Sequence, residues 1–210
     1  MVQRLPGYDH IGIGRNGGNE GEYCPVFFKK DVFELLDNDT FWLSETPEVA
    51  NSKGWDAALP RIVTWVKLKV KSSGKEFYFF NTHFDHKGRT AQLESAKLLK
   101  ERVNQIVGDL PFVITGDFNF SPSFEAYSIL TKTGLDSDFY ITDAKESAER
   151  KYGPIYTFNG FALEPEQSRE RIDYIFCDPK VSVHKHHTLD GQRGKNYVSD
   201  HFPIIVCLSF

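Results

Sequence analysis

The sequence predicts one layered α/β domain spanning residues 1–210, built on mixed sheets. Three observations carry that reading. Short apolar, β-rich runs outnumber stretches of helical periodicity, and the two kinds are interleaved along the chain. Phenylalanine is abundant, at 18 residues, and aromatic side chains favour strands. A chain of 210 residues is also long enough to close one proper core.

The elements follow in order. Tyr23 to Lys29 reads as a strand, followed by Phe33 to Leu36 and Ile62 to Val70. Ser72-Ser73-Gly74-Lys75 is a turn signal, so Glu76 to Thr82 is expected to fold back on Ile62 to Val70 as a hairpin. Thr90 to Val107 sets Ala96, Leu99, Val103 and Ile106 on one helical stripe, with Glu94, Lys97, Lys100 and Glu101 mainly elsewhere, and Gly108 ends it. Phe112 to Thr115 is a short apolar strand running into Gly116-Asp117. Ser121 is the expected N-cap of a second helix, with Pro122 at its first position and an end near Gly134. Lys145 to Arg171 is polar and carries Pro154, Gly160 and Pro165, which predicts a long loop region within the domain. Arg171 to Cys177 and Phe202 to Leu208 complete the strands.

Composition narrows the function. A formal net charge of −4 excludes bulk attraction to nucleic acid as the design, so any polyanion has to be held by a local patch or a cation. Cys24, Cys177 and Cys207 lie far apart in apolar, strand-like surroundings and form no CxxC pair, so buried free thiols are expected. No apolar run approaches the roughly 18 residues of a membrane span. Met1 to Gly7 does not read as a signal peptide, and the sequence assigns no compartment: a soluble protein, cytoplasmic, or exported if a leader precedes Met1. His184-Lys185-His186-His187 reads as a solvated polar stretch on a loop or edge strand, with adventitious transition-metal binding as the other reading. His10 reads as structural.

The informative pattern is where polar residues meet the strands. Four apolar runs end or begin at Asn81-Thr82-His83, Gly116-Asp117-Phe118-Asn119, Arg171-Ile172-Asp173-Tyr174 and Ser199-Asp200-His201. Each alone has an ordinary explanation. Asp117 and Asn119 serve equally as turn residues, Asp173 as a partner for Arg169 or Arg171, and Asp200-His201 as a loop before the last strand. Together they place carboxylates, amides and imidazoles at strand ends, which converge on one sheet edge. Asp and Asn oxygens suit hard cations such as Mg²⁺ or Mn²⁺, and histidines move protons near neutral pH. That combination fits hydrolysis of a phosphate ester.

The four clusters, in this order, resemble the successive signatures of the endonuclease/exonuclease/phosphatase superfamily, over about Gly7 to Phe210. Phe41 to Pro47 with Gly54 to Ala58, and His86-Lys87-Gly88-Arg89, resemble its Ccr4/nocturnin-like and uncharacterised bacterial branch. The resemblance implies a four-layer α/β/β/α sandwich, two packed mixed β-sheets flanked by helices. It implies that His201, partnered by Asp173, activates water and that His83 contacts the scissile phosphate. Asp117 and Asn119 would hold phosphate, water or metal, and Asp200 would be a metal ligand. Arg61 resembles the phosphate-binding arginine and Glu22 the carboxylate that orients His83. Trp55 and Arg89 would line the substrate cleft. The substrate would be a phosphoester of nucleic acid, nucleotide, sugar or lipid. A phosphate-recognising binding module without turnover is the alternative.

The departure lies at the front. The family begins with a strand, a helix and a strand ending in a Gln-Glu pair whose Glu binds metal; Met1 to Pro6 supplies none of this. The sequence is therefore expected to be N-terminally truncated relative to the family. Reduced metal affinity and a possible homodimer through exposed strand edges are the expected consequences.

Overall fold

The computed structural model describes residues 4–132, 139–162 and 170–210. β1 (Tyr8–Ile11) and β2 (Val26–Lys29) form an antiparallel ribbon. β3 (Phe33–Trp42), β4 (Ile62–Val70) and β5 (Glu76–His83) form a meander of antiparallel neighbours, and the turn at Gly74 closes the expected hairpin. α1 (Arg89–Val107) then crosses back so that β6 (Phe112–Asp117) lies parallel to β5, the one parallel pair in this sheet. After α2 (Glu125–Thr131), β7 (Thr142–Asp143), α3 (Ala144–Ser147) and β8 (Arg150–Tyr152), the chain adds β9 (Asp173–Cys177) beside β6. It ends with the hairpin of β10 (Ser182–Thr188) and β11 (Ile204–Ser209). The six-stranded sheet has the order β3-β4-β5-β6-β9-β7 and the three-stranded sheet the order β11-β10-β8.

Period-two alternation divides the central strands between two cores. Phe112, Ile114, Tyr174 and Phe176 face one side with Phe80 and Phe118, where Leu99 and Val103 of α1 and Leu130 of α2 cover them. Val113, Ile175 and Cys177 face the other side and pack on Val183, Ile204, Val206 and Leu208 of the small sheet. Val26 and Phe28 of the ribbon cover Val66, Leu68 and Phe77 on that same side. The architecture is an α/β sandwich: helices, a large mixed sheet, then a smaller mixed sheet. Leu99 is fully buried, and removing such a side chain to alanine costs about 2–5 kcal/mol. The outward side of β11 is open, with Ile205 56% exposed. No helix among the described residues is long and apolar enough to cross a membrane.

Several expectations are corrected. The strand read from Tyr23 starts at Val26, because Pro25 has no N–H to donate to a ladder. The strand read as ending at Leu36 runs to Trp42, since an edge strand tolerates the polar Asp37-Asn38-Asp39 on its solvent face. Ser121 does not cap α2: its hydroxyl meets Ser123, the 121–124 segment is a turn, and the helix begins at Glu125. Gly134, its expected end, lies outside the described residues. The loop read from Lys145 to Arg171 contains most of α3, which runs Ala144–Ser147, and all of β8. The histidine-rich stretch is not a solvated loop or edge but β10, the middle strand of its sheet, with His186 2% exposed. Cys24 and Cys177 are buried, but Cys207 is exposed, because alternation on β11 turns Val206 inward.

Candidate active site

Strand register assembles the site. His83 pairs with Asp117 across β5 and β6, and Asp117 pairs with Asp173 across β6 and β9. Three neighbouring strands thus deliver three polar residues to one sheet edge. Gly116 is what lets β5 and β6 approach there: a Cβ would lie 2.3 Å from the Thr82 carbonyl oxygen. His201 arrives from the segment ahead of β11. It is fixed by a bridge to Phe158, whose ring stands edge-on with centroids 5.0 Å apart. The buried Thr157 ties the same corner down: its hydroxyl oxygen accepts the N–H groups of Ile172 and Asp173, both at 3.1 Å.

The side chains form two imidazole–carboxylate pairs around Asp117. His201 Nδ1 lies 2.8 Å from Asp173 Oδ2, and His83 Nδ1 lies 3.3 Å from Glu22 Oε1. Both Nε2 atoms turn toward Asp117 Oδ2, at 3.4 Å from His83 and 3.8 Å from His201. The environments tune the groups differently. The hydrogen bond to Asp173 holds the His201 imidazole above its ordinary value. Burial, reinforced by the positive charge of Arg61, pushes His83 down to about 4. Burial and the neighbouring Asp173 charge push Asp117 up to about 6.

Of the remaining predicted residues, Trp55 and Arg89 do not line the cleft that holds Asp117, Asp173 and His201. Asn119 adopts a left-handed backbone (φ 52°) that asparagine tolerates well; its N–H donates to Asp117 Oδ1 at 2.9 Å and its side-chain amide to the Phe84 carbonyl at 3.0 Å. Arg61 is 3% exposed, held by Asp85 through Nε and by His86 through Nη2. Asp200 adds to the field on His201, but its backbone carbonyl holds Asn159 and Gly160, and Ser199 is the hydrogen-bond partner of its carboxylate. Arg89 lies over the Phe124 ring, 3.8 Å from its centroid, at the start of α1. Trp55 is half-buried with a φ of 50°, its N–H taken by the Glu45 carboxylate.

Asp117, Asp173 and His201 present ligand atoms within 4.8 Å of one another, and Asp200 is not in that group. Two half-buried carboxylates side by side, one already pushed toward protonation, are an arrangement that a divalent cation relieves, so the residues present fit a metal. They line a cleft of about 350 Å³ that continues between the two sheets past Thr115, Ile175, Pro203 and Ile204.

Sequence reasoning missed three supporting residues and gave a fourth, Asp85, another role. Arg15 grips Glu22 (Nη1 to Oε2, 2.6 Å), and Thr157 anchors Asp173. The Gln92 amide donates to the carbonyls of Asp85 (2.7 Å) and Asn119 (2.9 Å), joining two site loops to α1. Asp85, whose spacing from His83 and His86 suggests a metal ligand, is instead 1% exposed beneath the N–H groups of Gly88, Lys87, Ala58 and Leu59. Burial opposes its ionisation, but those donors hold its carboxyl well below the usual carboxylate range. Gln92, a polar residue beside an apolar helical stripe, and Asp85, by its spacing from His83 and His86, left a signal in the sequence; Arg15 and Thr157 left none.

Comparison with known proteins agrees with this fold. A structure from Bacteroides vulgatus described as an endonuclease/exonuclease/phosphatase is 42% identical, with a TM-score of 0.92 over 99% of this chain and 78% of that one. A mannosyl-6-phosphatase of Bacteroides thetaiotaomicron is 39% identical, with a TM-score of 0.89 over 100% of this chain and 79% of that one. Nocturnin of Drosophila melanogaster is 29% identical over 92% of this chain, which spans only 33% of that protein's length. The model of the Endonuclease/Exonuclease/phosphatase family matches residues 3–201, and the chain belongs to that family.

Proposed function

We propose that the protein is a divalent-metal-dependent phosphoesterase in which the His201–Asp173 pair activates water. The observation that carries this reading is the Asp117 carboxylate set between two imidazole Nε2 atoms, each imidazole backed by its own carboxylate. With Nδ1–H given to Asp173, His201 keeps its Nε2 lone pair for a proton from water, and its raised basicity favours that transfer. His83, Asn119 and Arg61 hold the phosphate. An incoming phosphate dianion favours the protonated form of His83, which Glu22 then stabilises through Nδ1. Asp117 and Asp173, the neighbouring carboxylates of the site, would with Asn119 and Asp200 hold Mg²⁺ or Mn²⁺, which when bound polarises a phosphoryl oxygen.

The cleft between the sheets supports a second part of the proposal. A carboxylate-bearing strand entering beside Thr115 and Ile204 would complete the oxygen set. The open edge of β11 is where that strand, or a second chain, would pair.

The 39% identical mannosyl-6-phosphatase makes a sugar phosphomonoester the first substrate to test. The assay compares mannose 6-phosphate, a chromogenic phosphodiester and single-stranded RNA, with Mg²⁺, Mn²⁺ or chelator. Metal-dependent phosphate release that falls about 10²–10⁴-fold in His201→Ala is expected. Phosphate binding without turnover on any substrate would favour the binding-module reading.

A further inference from the structure

We propose that His86 is a positioning residue for Arg61, fixing the buried guanidinium so that its charge and its unpaired Nη1 stand beside His83, where the substrate phosphate is held. The inference rests on the reading of Arg61 as a phosphate ligand. A guanidinium has five N–H donors and no acceptor. Arg61 spends Nε on Asp85 Oδ2 at 3.4 Å and Nη2 on His86 Nδ1 at 3.0 Å, while buried Nη1 meets no hydrogen-bond partner among the described residues. Arg61 shares a small recess with Arg15, Glu22, Cys24 and His83. One nitrogen of a buried cation is therefore left unpaired beside the imidazole that faces Asp117.

The chemistry of the contact defines the state of His86. Arginine cannot accept a hydrogen bond, so His86 Nδ1 must accept, and the ring proton sits on Nε2. A doubly protonated ring would set one N–H against another. The loop that carries His86 is held rigidly, because Asp85 Oδ1 takes the N–H groups of Lys87 at 2.9 Å and Gly88 at 2.8 Å. The clamp is asymmetric in charge. Asp85 supplies one negative charge at Nε, and an imidazole at Nη2 adds direction without adding a second. A carboxylate at that place would cancel the field that an anionic substrate needs. Although His86 is itself exposed, its ring nitrogen is the orienting partner of a side chain that is 3% exposed.

The test pairs two variants of the full chain with a readout independent of turnover. Nitrogen-15 NMR of the imidazoles at pH 7.5 should show His86 as the Nε2–H tautomer. His86→Leu, which removes the acceptor, should raise both KM for mannose 6-phosphate and the dissociation constant of inorganic phosphate about tenfold, with kcat changed less than about threefold. His86→Asn, whose Oδ1 can take the place of Nδ1, should restore both constants to within about threefold of wild type. An Nδ1–H tautomer, an unchanged phosphate constant in His86→Leu, or an equal loss in both variants overturns the proposal. A wild type that binds phosphate without hydrolysing any ester overturns the enzymatic reading alone, and the NMR and phosphate constants still decide the role of His86.

Discussion

His83 and His201 are chemically identical side chains with opposite settings, and burial and partners together explain the difference. His201 gives Nδ1–H to Asp173 at 2.8 Å and is raised; His83 is lowered first by burial and then by the charge of Arg61, against a longer 3.3 Å contact to Glu22. Glu22 is thus the group that keeps His83 able to take a proton at all, and Arg15 holds it in place. Replacing Glu22 with Gln keeps the shape and an acceptor but removes the charge. We expect kcat to fall roughly 10- to 100-fold in Glu22→Gln, with a smaller change in KM, since such supporting partners typically cost that much. Steady-state kinetics check this, and an unchanged kcat would show that His83 does not act through its charged form. Glu22 was legible in the sequence as the partner of His83. Arg15 was not: its contacts depend on the ring of turns from Gly14 to Glu22, which no local period announces.

At the scale of the element, β10 carries a buried liability. His186 points inward with Nδ1 unpartnered among the described residues, and burial, then the nearby Lys145 charge, push its imidazole down to about 4. An unfolded histidine titrates near 6.5. Between those two values the unfolded chain binds a proton that the folded chain refuses. Stability is therefore full above about pH 6.5 and is lost as pH falls toward about 4, by up to ~3 kcal/mol. Urea unfolding at pH 7.5, 5.5 and 4.5 should show this slope, and His186→Leu should reduce it; equal slopes would contradict the burial argument. The same strand shows why sequence reading failed here. Its inward positions are Val183, His186 and Thr188, two of them polar, and the β-bulge between Val183 and Lys185 breaks the period. By contrast β4, β5, β6 and β9 were legible because their buried residues, Thr64 and Thr82 apart, are mainly aliphatic or aromatic. α2 was misplaced because Ser121-Pro122 carries the signal of a helix start while forming only the turn before it.

For the whole molecule, sheet packing is what makes the site. Asp173 belongs to the large sheet, whereas His201 precedes the last strand of the small one, and their 2.8 Å contact exists only when the two sheets lock together. The sequence showed both residues at strand ends, so the candidate chemistry was readable before the fold. Which strands adjoin, and that Asp117 stands between two imidazoles, depended on the crossover through α1 and on the antiparallel entry of β9. The central claim is that His201 and Asp173 act as one unit. Its most direct measurement is a double-mutant cycle in kcat on the metal-loaded protein, using His201→Ala, Asp173→Asn and the double variant. Each single change should lower kcat by about 10²–10⁴-fold, and the double variant should be little worse than His201→Ala alone. Losses that multiply, or turnover that survives without His201, would contradict the account.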